Sequence, residues 1–209
     1  MKLIIFGATG GTGKHVLEQA LHAGHEVTVF CRNPDKIKQQ DSRLKIIQGD
    51  VLAVKKVTAA LAGQDAVFCA LGMPNIRDKS RLRTQGTQAI IRGMEKQGIK
   101  RLICLSAFGA GDSFKFMPFH YRLLLAPLFM KSLYEDHNQQ EVAIRSSLLE
   151  WTIIRPAMLH DGQMTDIYQH GTEALKAAKH KISRANVAAF MLKQLDAKDY
   201  VFASPSISE

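Results

Sequence analysis

The sequence predicts a doubly wound α/β fold: one parallel sheet, helices on both faces, and a single domain across residues 1–209. Three observations carry this reading. An apolar, β-favouring run, Lys2–Phe6, enters a glycine cluster, Gly7-Ala-Thr-Gly-Gly-Thr-Gly13, which leads into a helical pattern where Val16, Leu17, Ala20 and Leu21 share a face. Strand-like runs then alternate with helical patterns about every 20–25 residues, as a sheet of βαβ units requires. Ala66–Leu71 is almost wholly apolar, which fits a parallel strand covered on both faces. Strand, glycine turn and helix, in that order, open a Rossmann-like unit.

In chain order, Gly24 stops the first helix and Glu26–Cys31 is the second strand. Leu44–Asp50 is the third, and Asp50 is placed to cap a helix over Lys55–Leu61. Gly63-Gln-Asp65 turns the chain into the fourth strand, Ala66–Leu71, with Gly72 behind it. Met73–Arg83 is a polar, basic loop; Thr84–Gln97 is helical and Gly98 ends it. Lys100–Ser106 is the fifth strand. Asp112–Met130 is rich in aromatic residues (Phe114, Phe116, Phe119, Tyr121, Phe129) and reads equally as a lid for a flat substrate or as a satellite of the core. Tyr134–Ser147 is a helix and Trp151–Pro156 the sixth strand. Ala157–Lys181 is irregular, with a helical piece near Thr172–Lys179. Ser183 is placed to cap a helix over Asn186–Leu195, and Tyr200–Ala203 adds a last strand. The expected strand order is 3-2-1-4-5-6, with ligands at the carboxyl ends between strands 1 and 4. Segments 107–133 and 157–185 then face the substrate.

Composition narrows the classes of function. Hydrophobic residues at 46% and charged residues at 22% are ordinary globular values. No apolar run approaches the ~20 residues of a membrane span. Leu123–Met130 holds eight residues between Arg122 and Lys131. Leu3–Phe6 is too short for a secretory leader, so a cytoplasmic protein is expected. Cys31, Cys69 and Cys104 lie in apolar runs without a C-x-x-C spacing; buried free thiols are expected, and no metal site. The formal net charge is +9, with basic density at Arg77–Arg83 and Lys176–Arg184. A solvated basic surface is the plain reading; a funnel for a polyanionic ligand is the other. No nucleic-acid-binding motif occurs, and the basic stretches carry no interleaved aromatic residues. A monomer is the expected state.

The glycine loop is the centre of the expected site. Gly7 permits the sharp exit from the strand, Gly10 lets the backbone approach a pyrophosphate, and Gly13 lets the helix pack on the sheet. Thr9, Gly11 and Thr12 complete the loop. The helix N-terminus offers free N–H groups and roughly half a positive charge to the phosphates. Gly13-Lys14 does not end a triphosphate-binding loop: Ala8 stands where that motif needs glycine, and His15 where it needs Ser or Thr for Mg²⁺. After the second strand, Arg32-Asn-Pro34 stands where an NAD-specific unit has Asp or Glu for the ribose 2′-hydroxyl. Arginine there suits a 2′-phosphate, with Lys36 assisting, so NADP is the expected cofactor. A solvent-facing arginine without a ligand is the alternative. Asp50 can accept from an adenine amino group and Val51 can cover the ring. Ala70, Leu71, Gly72, Ser106, Pro156 and Ala157 end strands four, five and six, and should converge on the same cleft.

Phe6-Gly-Ala-Thr-Gly-Gly-Thr-Gly13, Gly49-Asp-Val51, Gly63-Gln-Asp-Ala-Val67, Leu105-Ser-Ala-Phe108, Trp151-Thr-Ile-Ile-Arg-Pro156 and Ile182-Ser-Arg-Ala185 span most of the chain. Together they resemble the atypical short-chain dehydrogenases, the NmrA-like NAD(P)-binding family. Gly49-Asp-Val-Leu52, Ser106-Ala-Phe108 and Asp136-His137 are most similar to its NADPH-dependent flavin reductase branch, the biliverdin reductase B type. The resemblance implies NADP binding and, beyond that, flavin reduction; sister groups isomerise sugars or sense redox state. One departure is informative. Typical members of the superfamily carry Tyr-x-x-x-Lys on the helix after strand five. Here Tyr134 is followed by Asn138, and no lysine occurs from there to Ser147. That argues against alcohol oxidation and for chemistry led by the cofactor.

The expected reaction is hydride transfer from NADPH to a flat conjugated acceptor: a free flavin, a linear tetrapyrrole or a quinone. Ser106 would bond the nicotinamide amide or the acceptor. His120, Tyr121, Tyr134 and His137 are the candidates for a proton, with a surface or core role the alternative for each; His137 comes first, because its ordinary pKa is near neutrality. The second reading is a non-catalytic NADP(H) sensor. An epimerase with bound NAD⁺ is the third, against which Arg32 and the missing Tyr/Lys pair both count.

Overall fold

Residues 1–72, 80–117, 119, 131–173 and 181–209 are described in the computed structural model. The elements are β1 (Lys2–Phe6), α1 (Gly11–His22), β2 (Glu26–Cys31), β3 (Leu44–Gln48), α2 (Val54–Leu61), β4 (Ala66–Cys69) and α3 (Leu82–Gln97). Then follow β5 (Arg101–Leu105), α4 (Lys131–Arg145), β6 (Glu150–Pro156), β7 (Met158–His160), β8 (Gln169–Gly171), β9 (Lys181–Ser183), α5 (Arg184–Lys193) and β10 (Ser206–Ser208). Short 3-10 turns cover Pro34–Lys36 and Gly111–Phe116. The first six strands lie parallel in the expected order, β3-β2-β1-β4-β5-β6, with the switch between β1 and β4. The sheet continues through β10, parallel to β6, and β8, antiparallel to β10. β7 and β9 form a separate parallel pair.

Strand alternation builds two cores. Leu3 and Ile5 of β1 enter one, Ile4 and Phe6 the other, and all four are fully buried. On the first face, Val27, Val29, Phe68, Ile103 and Ile154 pack on Val16, Leu17 and Ala20 of α1 and on Val187, Phe190 and Met191 of α5. On the second, Val67, Leu102 and Ile153 pack on Val57 and Leu61 of α2, Ile90 and Met94 of α3 and Ile144 of α4. The central strands are thus covered on both sides, which is what their unbroken apolar runs require.

Several local expectations change. Only a 3-10 turn crosses from β2 to β3, held by Asn33 Oδ1 accepting from Asp35 N at 3.0 Å. Asp50 does not cap α2: its Oδ1 accepts from Leu52 N at 2.9 Å, and α2 starts beyond it with Ala53 at the N-cap. The strand expected at Tyr200–Ala203 is a turn with one bridge, Ala203 to Thr152, and the strand itself is Ser206–Ser208. Three residues are too few to show a period. Ser183 caps α5, accepting from Asn186 N at 3.1 Å, and the helix begins earlier than expected, at Arg184. Residues 73–79 of the basic loop, most of 112–130 including His120 and Tyr121, and the Thr172–Lys179 piece beyond residue 173 lie outside the described residues.

Gly93 marks where α3 crosses α2. A Cβ there would stand 2.6 Å from Leu61 Cδ1 and 3.3 Å from Thr58 Cα. Gly93→Val should force the helices apart and cost about 1–3 kcal/mol. Urea unfolding would show a lower midpoint at unchanged slope.

Candidate functional site

The turn from β1 into α1 is made of backbone contacts closer than a side chain allows. Gly7 adopts φ +92° and packs on the Ala70 carbonyl at the end of β4. A Cβ on Gly13 would overlap the Gly7 carbonyl, and one on Gly10 would stand 3.3 Å from Gly7 O. Gly10 N donates to Gly7 O at 3.0 Å and closes the turn. Gly10 is the extended N-cap of α1; no side chain caps the helix and its first turn holds no acid. The positive end of α1 therefore stands at the carboxyl edge of the sheet, suited to an anion. Thr12 and Gly13 are buried, whereas Thr9, Gly10 and Gly11 are exposed.

Beside this turn is a cavity of about 280 Å³. Gly7, Thr9 and Gly10 line one side, Ala70, Leu71 and Gly72 another, Val51 and Leu82 a third, and Arg32, Asn33 and Lys36 the rim. No Asp or Glu is among the residues lining it. Glycines shape its walls too. A Cβ on Gly49 would meet the Phe30 ring, and one on Gly86 would stand 2.7 Å from Leu71 Cδ1 and 3.0 Å from Val51 Cγ1. An apolar slot with a basic mouth results. Arg32 and Lys36 are exposed, and neither forms an ion pair among the described residues. Asp50, exposed and held in its own turn, does not line the cavity.

A second cluster forms where β5 and β6 end. Ser106 Oγ donates to Glu141 Oε1 at 2.7 Å and lies 3.4 Å from His137 Nδ1. Arg155 of β6 grips Glu141 with two bonds, Nε to Oε1 at 2.9 Å and Nη2 to Oε2 at 2.6 Å. Arg155 Nη2 also reaches Asp112 Oδ1 at 2.8 Å. Burial opposes the charge on Arg155, but Glu141 and Asp112 outweigh it and raise its pKa. Pro156 O accepts from Phe108 N at 2.9 Å and Ala157 N donates to Ile207 O at 2.9 Å, so these two residues register β6 against its neighbours. Ser106, Pro156 and Ala157 meet here and not in the 280 Å³ cavity.

His137 differs from expectation. It is only 5% exposed, and burial, then the nearby Arg83 charge, lowers its pKa to about 3; Asp136 and Gln140 oppose this in part. The imidazole is neutral at pH 7, so a proton source poised near neutrality is not found in it. Its neighbour Asp136 caps α3 from α4, accepting from Thr84 N at 3.0 Å and Thr84 Oγ1 at 2.7 Å. Tyr134 Oη donates to Phe108 O at 3.4 Å, one turn before Asn138. The Glu141–Arg155 pair was not anticipated. An arginine within an apolar strand, Trp151-Thr-Ile-Ile-Arg-Pro156, is the signal that calls for a buried partner.

Cys31, Cys69 and Cys104 are buried and free. Among the described residues, no helix is long and apolar enough to cross a membrane, and no group of three His, Cys, Asp or Glu is placed to hold a metal ion.

A glycine cradle, an uncapped helix start and an apolar slot at the switch point define a dinucleotide-binding protein of the Rossmann class. The chain belongs to the NAD(P)H-binding family, whose model matches residues 7–198. It is 30% identical over 206 residues to the uncharacterized protein YwnB of Bacillus subtilis (strain 168), covering 94% of this chain and 92% of that one. It is 25% identical over 221 residues to the oxidoreductase aflX of Aspergillus parasiticus, covering 98% and 81%. Its fold is similar to that of ChuY, an anaerobilin reductase from Escherichia coli O157:H7, with TM-score 0.82 and 23% identity over 100% of this chain and 97% of that one.

The buried histidine gives a pH dependence of known sign. Its pKa is about 3 in the fold against 6.5 ordinarily, so the unfolded chain protonates first. Its contribution is whole above about pH 6.5 and is lost as pH falls toward 3, by up to about 1.4 kcal/mol per pH unit. His137→Gln removes this component. In urea titrations the stability gap between parent and variant should shift against the parent as pH falls from 6.5 to 4; a gap constant with pH would contradict the burial.

Proposed function

We propose that the protein is an NADPH-dependent reductase that passes hydride to a flat conjugated acceptor: a free flavin, a linear tetrapyrrole or a quinone. The observation that carries the coenzyme choice is the cavity mouth, where Arg32 and Lys36 stand across from Gly7 and Gly10 and no carboxylate lines the wall. An NAD-specific site needs an acceptor for the ribose 2′-hydroxyl at this point, whereas two cations suit a 2′-phosphate. Val51 and Leu71 would enclose the adenine, and Asp50 would accept from its amino group at the edge. The amides of Gly11 and Thr12 would hold the diphosphate, with Ala70–Gly72 alongside, and the nicotinamide half would extend toward Ser106, Pro156 and Ala157.

When bound, the coenzyme supplies the hydride. The chain orients and desolvates. The Ser106 proton is committed to Glu141, which leaves Ser106 Oγ as an acceptor, suited to a carboxamide N–H. Two facts argue for an acceptor that spreads the incoming electron pair over its own ring. His137 is held neutral, and Asn138 stands four residues after Tyr134 where the superfamily motif has its lysine. Such an acceptor has less need of a strong protein acid in the hydride step. The likeness to the oxidoreductase aflX supports redox chemistry over epimerisation. The second reading, a sensor that binds NADP(H) without turning it over, is favoured by the neutral His137 and by Asn138 in place of the motif lysine.

NADPH absorbance followed with FMN, riboflavin, biliverdin and a quinone should fall with at least one of them. Tight binding with no oxidation by the whole panel would assign the sensor. Arg32→Ala removes a charge-assisted bond worth about 1.5–3 kcal/mol and should weaken NADPH by about 10–150-fold with little change for NADH. Equal losses for both, by calorimetry, would refute the 2′-phosphate assignment.

A further inference from the structure

Gly7, Gly10 and Gly13 are kept small by backbone, but Gly11 is kept small by a side chain. A Cβ on Gly11 would stand 2.6 Å from Arg184 Nε and 2.8 Å from Arg184 Cδ. The arginine thus lies flat against the exposed middle of the loop. Its position is imposed by the fold. β9 runs parallel to β7 and delivers the chain, at its carboxyl end, to Arg184. The Ser183 cap makes Arg184 the first residue of α5. α5 packs along α1, where Gln19 Nε2 donates to Ala185 O at 3.0 Å.

Arg184 is not built into the core. Its side chain is 25% exposed, and its ion-pair partner among the described residues is Asp161, at 2.9 Å and 72% exposed. So exposed a partner contributes little and is readily exchanged. The amides of Gly11, Thr12 and Gly13 make no hydrogen bond among the described residues. A cation therefore lies beside unpaired donors, in a chain whose family binds NAD(P)H.

We propose that Arg184 binds the diphosphate bridge of the coenzyme, closing from the α5 side the cradle that the loop amides form. This rests on the coenzyme reading above. It divides the cations of the site by task. Arg32 and Lys36 recognise the 2′-phosphate, which NADP alone carries. Arg184 recognises the diphosphate, which NADP and NAD share, and so sets affinity without setting preference. Its planar guanidinium exchanges the Asp161 carboxylate for two phosphate oxygens.

Calorimetry on the full chain with NADPH, NADH and adenosine 2′-monophosphate tests this, because the last carries the 2′-phosphate and lacks the diphosphate. Arg184→Ala should weaken both coenzymes by about 10–150-fold and leave adenosine 2′-monophosphate unchanged. Arg184→Lys should recover part of the loss. Arg184→Gln, which keeps most of the side chain, is measured beside the alanine variant with thermal unfolding of each, so that a folding defect in one leaves the other decisive. A folded variant that keeps the parent's NADPH affinity overturns the assignment. So does one that loses adenosine 2′-monophosphate as strongly as NADPH. Both outcomes leave the coenzyme reading standing. A parent chain that binds neither coenzyme overturns the two together.

Discussion

At Gly7 three backbone segments meet: the exit of β1, the end of β4 at Ala70 and the first turn of α1 at Gly13. Gly7 and Gly13 have no Cβ to hold the segments apart, and Gly7 takes a left-handed φ that most residues resist. The depth at which the start of α1 sits against the sheet edge follows from this contact. The rest of the site inherits it. The slot beside the turn is walled by Val51 and Leu71, which Gly86 admits, and floored by Phe30, which Gly49 admits. A loop with glycine at four of its seven positions presents chiefly its amides, which suits it to an anion.

The other end of the cleft follows a different physical rule. Glu141 and Arg155 are each 2% exposed and meet with two good hydrogen bonds. Desolvating both charges costs much of what their attraction returns, so the pair is weak evidence for stability. What it supplies is position. Glu141 accepts from Ser106 Oγ, Arg155 reaches out to Asp112, and Gly111 N donates to Asn138 Oδ1 at 2.7 Å. The segment after β5 is thereby tied to α4 and β6. Gln140, the residue before Glu141, donates to Thr87 Oγ1 at 3.0 Å and Cys104 Sγ at 3.3 Å. α4 thus carries a buried polar network, in which Gln140 Oε1 alone of these groups is left unpaired among the described residues, where the wider superfamily would place a titrating Tyr/Lys pair.

These two ends suggest a division of labour. The β1–β4 end is rigid, amide-rich and rimmed with cations: binding chemistry. The β5–β6 end is buried and neutral at its histidine: positioning chemistry. Hydride transfer to a delocalised acceptor asks for both and asks for little acid catalysis, which is why the proposed function follows from the pair rather than from either alone.

What the sequence by itself determined is what a short window contains. The apolar run Lys2–Phe6 set β1, the glycine spacing set the turn, Gly98 and Ser183 marked helix ends, and the repeating strand–helix rhythm set the order of the first six strands. The basic Arg32 at the end of β2 was legible for the same reason. Only the tertiary structure decided the pairings between distant residues. It gave the α3 cap to Asp136 of α4, buried His137 beside Arg83, joined Arg155 to Glu141 and laid Arg184 on Gly11. An arginine in an apolar strand announces that it needs a partner but not which one. Partner, burial and pKa all depend on how far apart the packed elements come to rest, and close packing sets that distance only when the whole chain is in place.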